Sequence, residues 1–151
     1  GTPEPAYDLA ALPVLGPIFT HTWATPLASL VAPSSVRRAF APLDVPSTFD
    51  RSPVALAIRP RNFTANAADI RGLDAFLRTQ EARYTELALP VVVVVAADDV
   101  VTTPTLRSHA LAREARNAEL VRIPRAGHQL PYTHTSQVIE AIERAAHRAG
   151  S

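Results

Sequence analysis

Pro90-Val91-Val92-Val93-Val94-Val95-Ala96-Ala97-Asp98-Asp99 is the stretch on which the reading of the fold turns. Five consecutive valines, β-branched and apolar on both sides of the chain, read as a short parallel strand buried on both faces, because a strand with one wet face would alternate. The change to Asp98-Asp99 at its carboxyl end puts carboxylates where open α/β sheets bind ligands, in the crevice beyond the strand ends. Toward the C-terminus, Leu106 to Arg116 reads as a helix and Ala118 to Ile123 as a second short strand. Pro124-Arg125-Ala126-Gly127 is its exit loop, and His128 stands in that loop. Ser136 to Ala149 closes the chain as an amphipathic helix. Two neighbouring parallel strands of this kind offer an acid and a histidine on one rim.

In that order (strand, acid, proline, helix, short strand, Gly-His, helix) the segment from Leu89 to Gly150 resembles the C-terminal half of the α/β-hydrolase superfamily. The resemblance rests on Val91 to Asp99, Pro104, Leu106 to Arg116, Glu119 to Pro124, Gly127-His128 and Ser136 to Ala149. It implies an α/β fold class, a partial α/β-hydrolase fold with the last parallel strands and helices of the core preceded by a helical cap. It also implies a triad ordered nucleophile, acid, histidine, whose last two members fall on Asp99 and His128. Where relatives have Gly-x-x-Asp this chain has Ala96; setting Ala96 on that glycine selects Asp99, with Asp98 the other candidate. In the implied chemistry His128 takes a proton from the nucleophile or a water, while Asp99 holds the tautomer of the ring and steadies its positive charge.

The family's nucleophile elbow, Gly-x-Ser-x-Gly or an aspartate equivalent in the dehalogenase and epoxide-hydrolase branches, has no counterpart here. The glycines stand at 1, 16, 72, 127 and 150, and none brackets a serine. The oxyanion-hole loop of the family also lies upstream of the residues matched. The chain therefore reads as the back half of an enzyme, with the missing N-terminal half of the same fold as its partner. A start at Gly1 and the lack of any methionine fit a processed or cleaved polypeptide. The valine strand is expected to pair on its free edge with a strand of that missing half, attached or cleaved and retained, or with another copy in a homo-oligomer. Alone, the chain is expected to aggregate or to elute as an oligomer.

Upstream of the valines, prolines at 3, 5, 13, 17, 26, 33, 42, 46, 53 and 60 cut the chain into short helices and turns. Pro17 to Ala32 reads as one helix with Phe19, Trp23, Leu27 and Val31 on a single stripe; Pro33-Ser34-Ser35 stops it and caps a short helix from Val36 to Phe40. Asn62 to Leu87 is the longest expected helix, with Phe63, Ala67, Ile70, Leu73 and Leu77 on its apolar face. Many α/β-hydrolases insert a helical cap at this place. The division expected is thus residues 1–88, cap running into a core helix, and 89–151, core carrying the acid and the histidine. In a cap, Phe19 and Trp23 are the candidate substrate-binding residues; the bland reading of the same pair is packing.

Composition excludes more than it assigns. All 15 basic residues are arginine, but 14 acidic residues offset them to a net charge of +1, so they form no nucleic-acid footprint. No apolar stretch approaches the ~18 residues of a membrane span. Residues Gly1 to Asp8 lack the basic start of a secretory signal, and the expected localisation is cytoplasmic. Without cysteine there is neither disulfide nor thiol nucleophile. A metal site fails on spacing, because no His-x-x-x-His lies beside an acid on one helix, and His128 and His134 are separated by a proline. His21, His109, His134 and His147 read as solvated. The function expected is that of an α/β-hydrolase, esterase, epoxide hydrolase or dehalogenase-like, acting on a hydrophobic small molecule without a cofactor. The alternative is a non-catalytic binding or scaffold module that retains the fold.

Overall fold

The computed structural model describes residues 5–102 and 104–150, without the side chains of residues 104–107; Gly1 and Pro3 lie outside the described residues. The chain is mixed α/β, mostly helical with a two-stranded parallel sheet. Contacts divide it into two units, Gly1–Ser35 with Asp50–Thr79 and Val36–Phe49 with Gln80–Ser151. The expected boundary at residue 88 differs from this chiefly at 36–49, a segment that groups with the C-terminal residues.

The first unit is helical. It contains α1 (Pro5–Ala10), α2 (Leu15–Phe19), a π-turn over Thr20–Ala24, the start of α3 (Thr25–Phe40), α4 (Ser52–Ala57) and most of α5 (Pro60–Glu81). Gly16 enters α2 against the end of α1, where a Cβ would overlap the carbonyl of Ala10. The ring of Phe63 on α5 stacks with Tyr7 at 5.3 Å and meets Phe19 edge-on at 6.4 Å. The apolar face expected along α5 is buried at Ala67, while Leu73 is exposed.

Two expectations for this region are corrected. Pro33 does not stop the helix, since α3 runs through it to Phe40. A proline inside a helix costs ~3 kcal/mol by removing one hydrogen bond and crowding the preceding turn. The far end of α3 compensates: Phe40 is fully buried against Phe49 and Tyr132, with centroids 5.0 and 6.0 Å away. Burying one Phe is worth roughly 1.5–3 kcal/mol, and each aromatic pair adds about 0.5–1.5 kcal/mol. Nor do Phe19, Trp23, Leu27 and Val31 form one buried stripe. The intervening π-turn, Thr20–Ala24, bonds i to i+5, and its first and last residues are the ones turned inward. What is buried instead is the row one position later, Gly16, Thr20 and Ala24, continued by half-buried Ala28 and Ala32. Trp23 is left 65% exposed.

The second unit is built on β1 (Val91–Ala96), α6 (Pro104–Glu114) and β2 (Ala118–Ile123), followed by α7 (Leu130–Thr133) and α8 (Thr135–Ala149). Parallel strands need a crossover, and α6 supplies it, packing on both strands. The register runs from Val91 opposite Ala118 to Ala96 opposite Ile123. Alternation along the strands places Val92, Val94 and Ala96 on the same face as Glu119, Val121 and Ile123. Helix α8 covers that face, because Arg144 and Arg148 on it both bond the Glu119 carboxylate. Its buried residue is Ala141, with Val138 and Ala145 half-buried on the same stripe.

The core gathers at the carboxyl end of the sheet, where Ala96, Ile123 and Ala126 are buried with Val94, Val121 and Leu130 packed on them. The expectation of a valine strand buried on both faces is met only there: Val95 and Ala96 are buried, but Val91 to Val94 are half-buried. Among the described residues β1 pairs with β2 alone, and a two-stranded sheet cannot shield a strand from both sides.

Candidate active site

The two strands end side by side, and their exit loops continue the ladder. Ala97 donates its N–H to Ile123 O at 2.9 Å, and Asp98 donates to Ala126 O at 3.0 Å. Arg125 takes a left-handed conformation, φ 52°, so that the loop after β2 can turn back with Ala126 fully buried beneath it. That geometry costs a non-glycine residue roughly 1–2 kcal/mol. Gly127 follows with no room for a side chain, because a Cβ would fall inside contact distance of the Ala41 carbonyl oxygen. Next in the loop, Gln129 N–H donates to Ala39 O at 3.2 Å. The backbone of 39–41 thus lies directly against the loop that carries His128, which is the physical reason for a glycine before this histidine.

In this frame Nδ1 of His128 sits 2.9 Å from Oδ2 of Asp99. The side chain of Asp99 is 8% exposed and that of His128 is 37% exposed, so the acid lies inside and the ring at the rim. Asp99 also closes the turn that follows it. Its Oδ1 accepts the N–H groups of Val101 at 2.7 Å and Thr102 at 3.0 Å, and its Oδ2 accepts the Thr102 hydroxyl at 2.7 Å. Burial pushes the Asp99 pKa up, yet hydrogen bonds from the Thr102 hydroxyl, the His128 ring and the two N–H groups outweigh it and hold the pKa down at about 2. An ionised carboxylate has only lone pairs to offer, so Nδ1 is the donor in the pair. A neutral ring then carries its lone pair on Nε2, which has no hydrogen-bond partner among the described residues.

Asp98, the other acid of the pair in the sequence, is exposed and contributes its backbone rather than its carboxylate to the loop contacts. Phe19 and Trp23 belong to the first unit, where Phe19 packs edge-on to Phe63 and Trp23 faces solvent. A shallow cavity of 440 Å³ in that unit is lined by Leu12, Pro13, Pro17, Thr64, Ala68 and Arg71. It is mostly apolar and holds no carboxylate, imidazole or thiol, so it offers no acid–base chemistry. No protein-family model matches the chain, and no curated protein does either.

Sequence reasoning passed over two components of the site. Thr102 carries a signal, since it stands three residues after Asp99, the spacing at which a capping aspartate meets a backbone N–H and a hydroxyl. The backbone of 39–41 carries none; nothing local in Ala39-Phe40-Ala41 says that it will abut Gly127. Among the described residues no three His, Cys, Asp or Glu side chains come together to hold a metal ion, and no helix is long and apolar enough to cross a membrane.

Proposed function

We propose that Asp99 and His128 are the acid and the histidine of an α/β-hydrolase triad, of the esterase, epoxide-hydrolase or dehalogenase-like kind. The observation that carries this reading is the 2.9 Å bond between an ionised, inward carboxylate and the Nδ1 of a rim histidine, at the carboxyl ends of adjacent parallel strands. Nε2, left with its lone pair, accepts a proton from a nucleophile hydroxyl, or from water where the nucleophile is itself a carboxylate. The proton stays on the ring as imidazolium, stabilised by Asp99, until it passes to the leaving group. Asp99 is not protonated in the cycle. Its own hydrogen bonds, which favour the ionised form, fit that role.

The nucleophile and the oxyanion hole belong, in this proposal, to the N-terminal half of the same fold, which also supplies the strand that pairs with the open edge of β1. The helical unit, without residues 36–49, serves as a cap in this proposal, with Phe19 and Trp23 as contacts to a hydrophobic small-molecule substrate, in a cytoplasmic enzyme that needs no cofactor. The test is paired. These 151 residues alone should hydrolyse activated esters no faster than buffer, while His128→Ala in the reconstituted enzyme should lower turnover on the order of 10³-fold or more. Robust hydrolysis by the chain alone, or an active enzyme indifferent to His128, overturns the reading.

One observation favours a second reading, a non-catalytic module that retains the fold. The bonds from Asp99 to Val101 and Thr102 already give that carboxylate a structural task. In that case Asp99→Asn destabilises the loop and no substrate is turned over at any stage of reconstitution.

A further inference from the structure

The Asp99 carboxylate has two oxygens and about four lone-pair positions, and four donors reach it. Val101 and Thr102 N–H take Oδ1, while the Thr102 hydroxyl and the His128 ring take Oδ2. Three of these donors come from two consecutive residues of one turn, so the turn sets the plane of the carboxylate and leaves a single direction open, the one His128 occupies. We propose that Thr102 is a positioning residue for the Asp99–His128 pair, its hydroxyl sharing one carboxylate oxygen with the ring and so setting how strongly that oxygen holds Nδ1. The proposal rests on the reading of this pair as the acid and histidine of a hydrolase.

A second donor on the same oxygen draws on the same charge, so the 2.7 Å bond from the Thr102 hydroxyl weakens what remains for Nδ1. It tempers the basicity that Asp99 confers on the ring. The two N–H groups on Oδ1 do not share this effect in the same degree, since they sit on the other oxygen and close the turn. Charged groups near the pair are Asp98 in the same loop, Arg125 in the loop after β2, and Arg38, whose guanidinium donates to Val100 O at 3.1 Å. A change confined to residue 102 leaves all three in place.

The experiment is NMR of the intact protein. The Nδ1 proton of His128 is identified by its loss in His128→Gln, and the Asp99 carboxyl carbon is followed by its titration. Thr102→Val keeps the shape and both N–H bonds but removes the hydroxyl. It should move the Nδ1 proton further downfield and raise the Asp99 midpoint from about 2 by roughly half a unit or more. Thr102→Ser should restore both values. Should the valine variant lose its fold, Thr102→Ala takes its place with the same expectations. A folded variant without the hydroxyl in which neither value moves, or a serine variant that shifts as far as valine, overturns the role of Thr102. A reconstituted enzyme with no hydrolytic activity overturns the triad and leaves these shifts standing, so the two failures are distinguishable.

Discussion

In the helical unit the residues withdrawn from solvent are Ala10, Gly16, Thr20, Ala24 and Ala67, whereas in the strand-bearing unit they include Phe40, Val95 and Ile123. The helical unit holds its elements together by close backbone approach at small residues and by a few ring contacts. Large apolar side chains, among them Ile18, Trp23, Leu27, Leu30 and Phe76, are left exposed. The strand-bearing unit buries Val95 and Ile123 beside Ala96 and Ala126 at one end of its sheet, where the loops that carry Asp99 and His128 are also cross-bonded. Side-chain size alone is a poor guide to burial in either unit, since the strand-bearing unit also buries Ala110, Ala115 and Ala141 and leaves Leu89, Leu120, Ile139 and Ile142 exposed; large residues are buried only where the sheet or other rings give them something to pack on. Where helices meet through glycine, alanine and threonine, the large residue next to the contact points outward.

The largest effect expected is at Gly127. An alanine there meets the Ala41 carbonyl and should cost more than about 4 kcal/mol, seen in denaturant melts and in loss of amide protection over Val91–Ala96. A cost under about 1 kcal/mol would break the claim that this unit is closed by that contact. Phe40→Ala should follow at roughly 3–5 kcal/mol, against a change within about 0.5 kcal/mol for Trp23→Ala. Equal losses from the two would erase the difference between the units.

Next comes pH. Folding lowers the Asp99 pKa from 3.8 to about 2, so the folded chain prefers the carboxylate more than the unfolded chain does. The stability so contributed is complete above pH 3.8 and is lost as pH falls toward 2; at about 1.4 kcal/mol per unit it is on the order of 2 kcal/mol. Asp99→Asn should flatten the acid limb of the stability curve over that window. Asp50 is lowered too, by the N–H and hydroxyl of Ser52. It keeps its slope in the variant, so the difference between the two curves isolates Asp99. The smallest effect lies in the helical unit. Gly72, within α5, has open space where a Cβ would stand, and Gly72→Ala should raise stability by up to about 1 kcal/mol in a thermal melt. A loss there would mean that α5 is packed more tightly than the comparison allows.

Much of the strand-bearing unit was legible in the sequence. The strand expected at Ala118 to Ile123 has the bounds of β2, and the one expected at Val91 to Val95 falls one residue short of β1. The helices expected at Leu106 to Arg116 and Ser136 to Ala149 begin and end within two residues of α6 and α8. Local pattern left Asp98 and Asp99 both open; the resemblance, with Ala96 set on the glycine of Gly-x-x-Asp, implied Asp99, and it is Asp99 that meets His128. The helical unit was less legible. Its π-turn has no sequence mark, and the row Gly16, Thr20, Ala24 is inconspicuous beside Phe19, Trp23 and Leu27.

By itself, then, the sequence determined what depends on local pattern: a β-branched run that suits only a strand, a 3.6-residue periodicity that suits only a helix, and an acid and a histidine placed just beyond the ends of two strands. Tertiary structure alone decided what depends on distant partners. The continuation of α3 past Pro33 is sustained by the burial of Phe40 against Phe49 and the distant Tyr132. The glycine requirement at 127 comes from the backbone at Ala41, and the one at Gly16 from the backbone at Ala10. Periodicity is a property of neighbours and is written in composition; close approach is a property of two remote backbones and is written in neither segment alone.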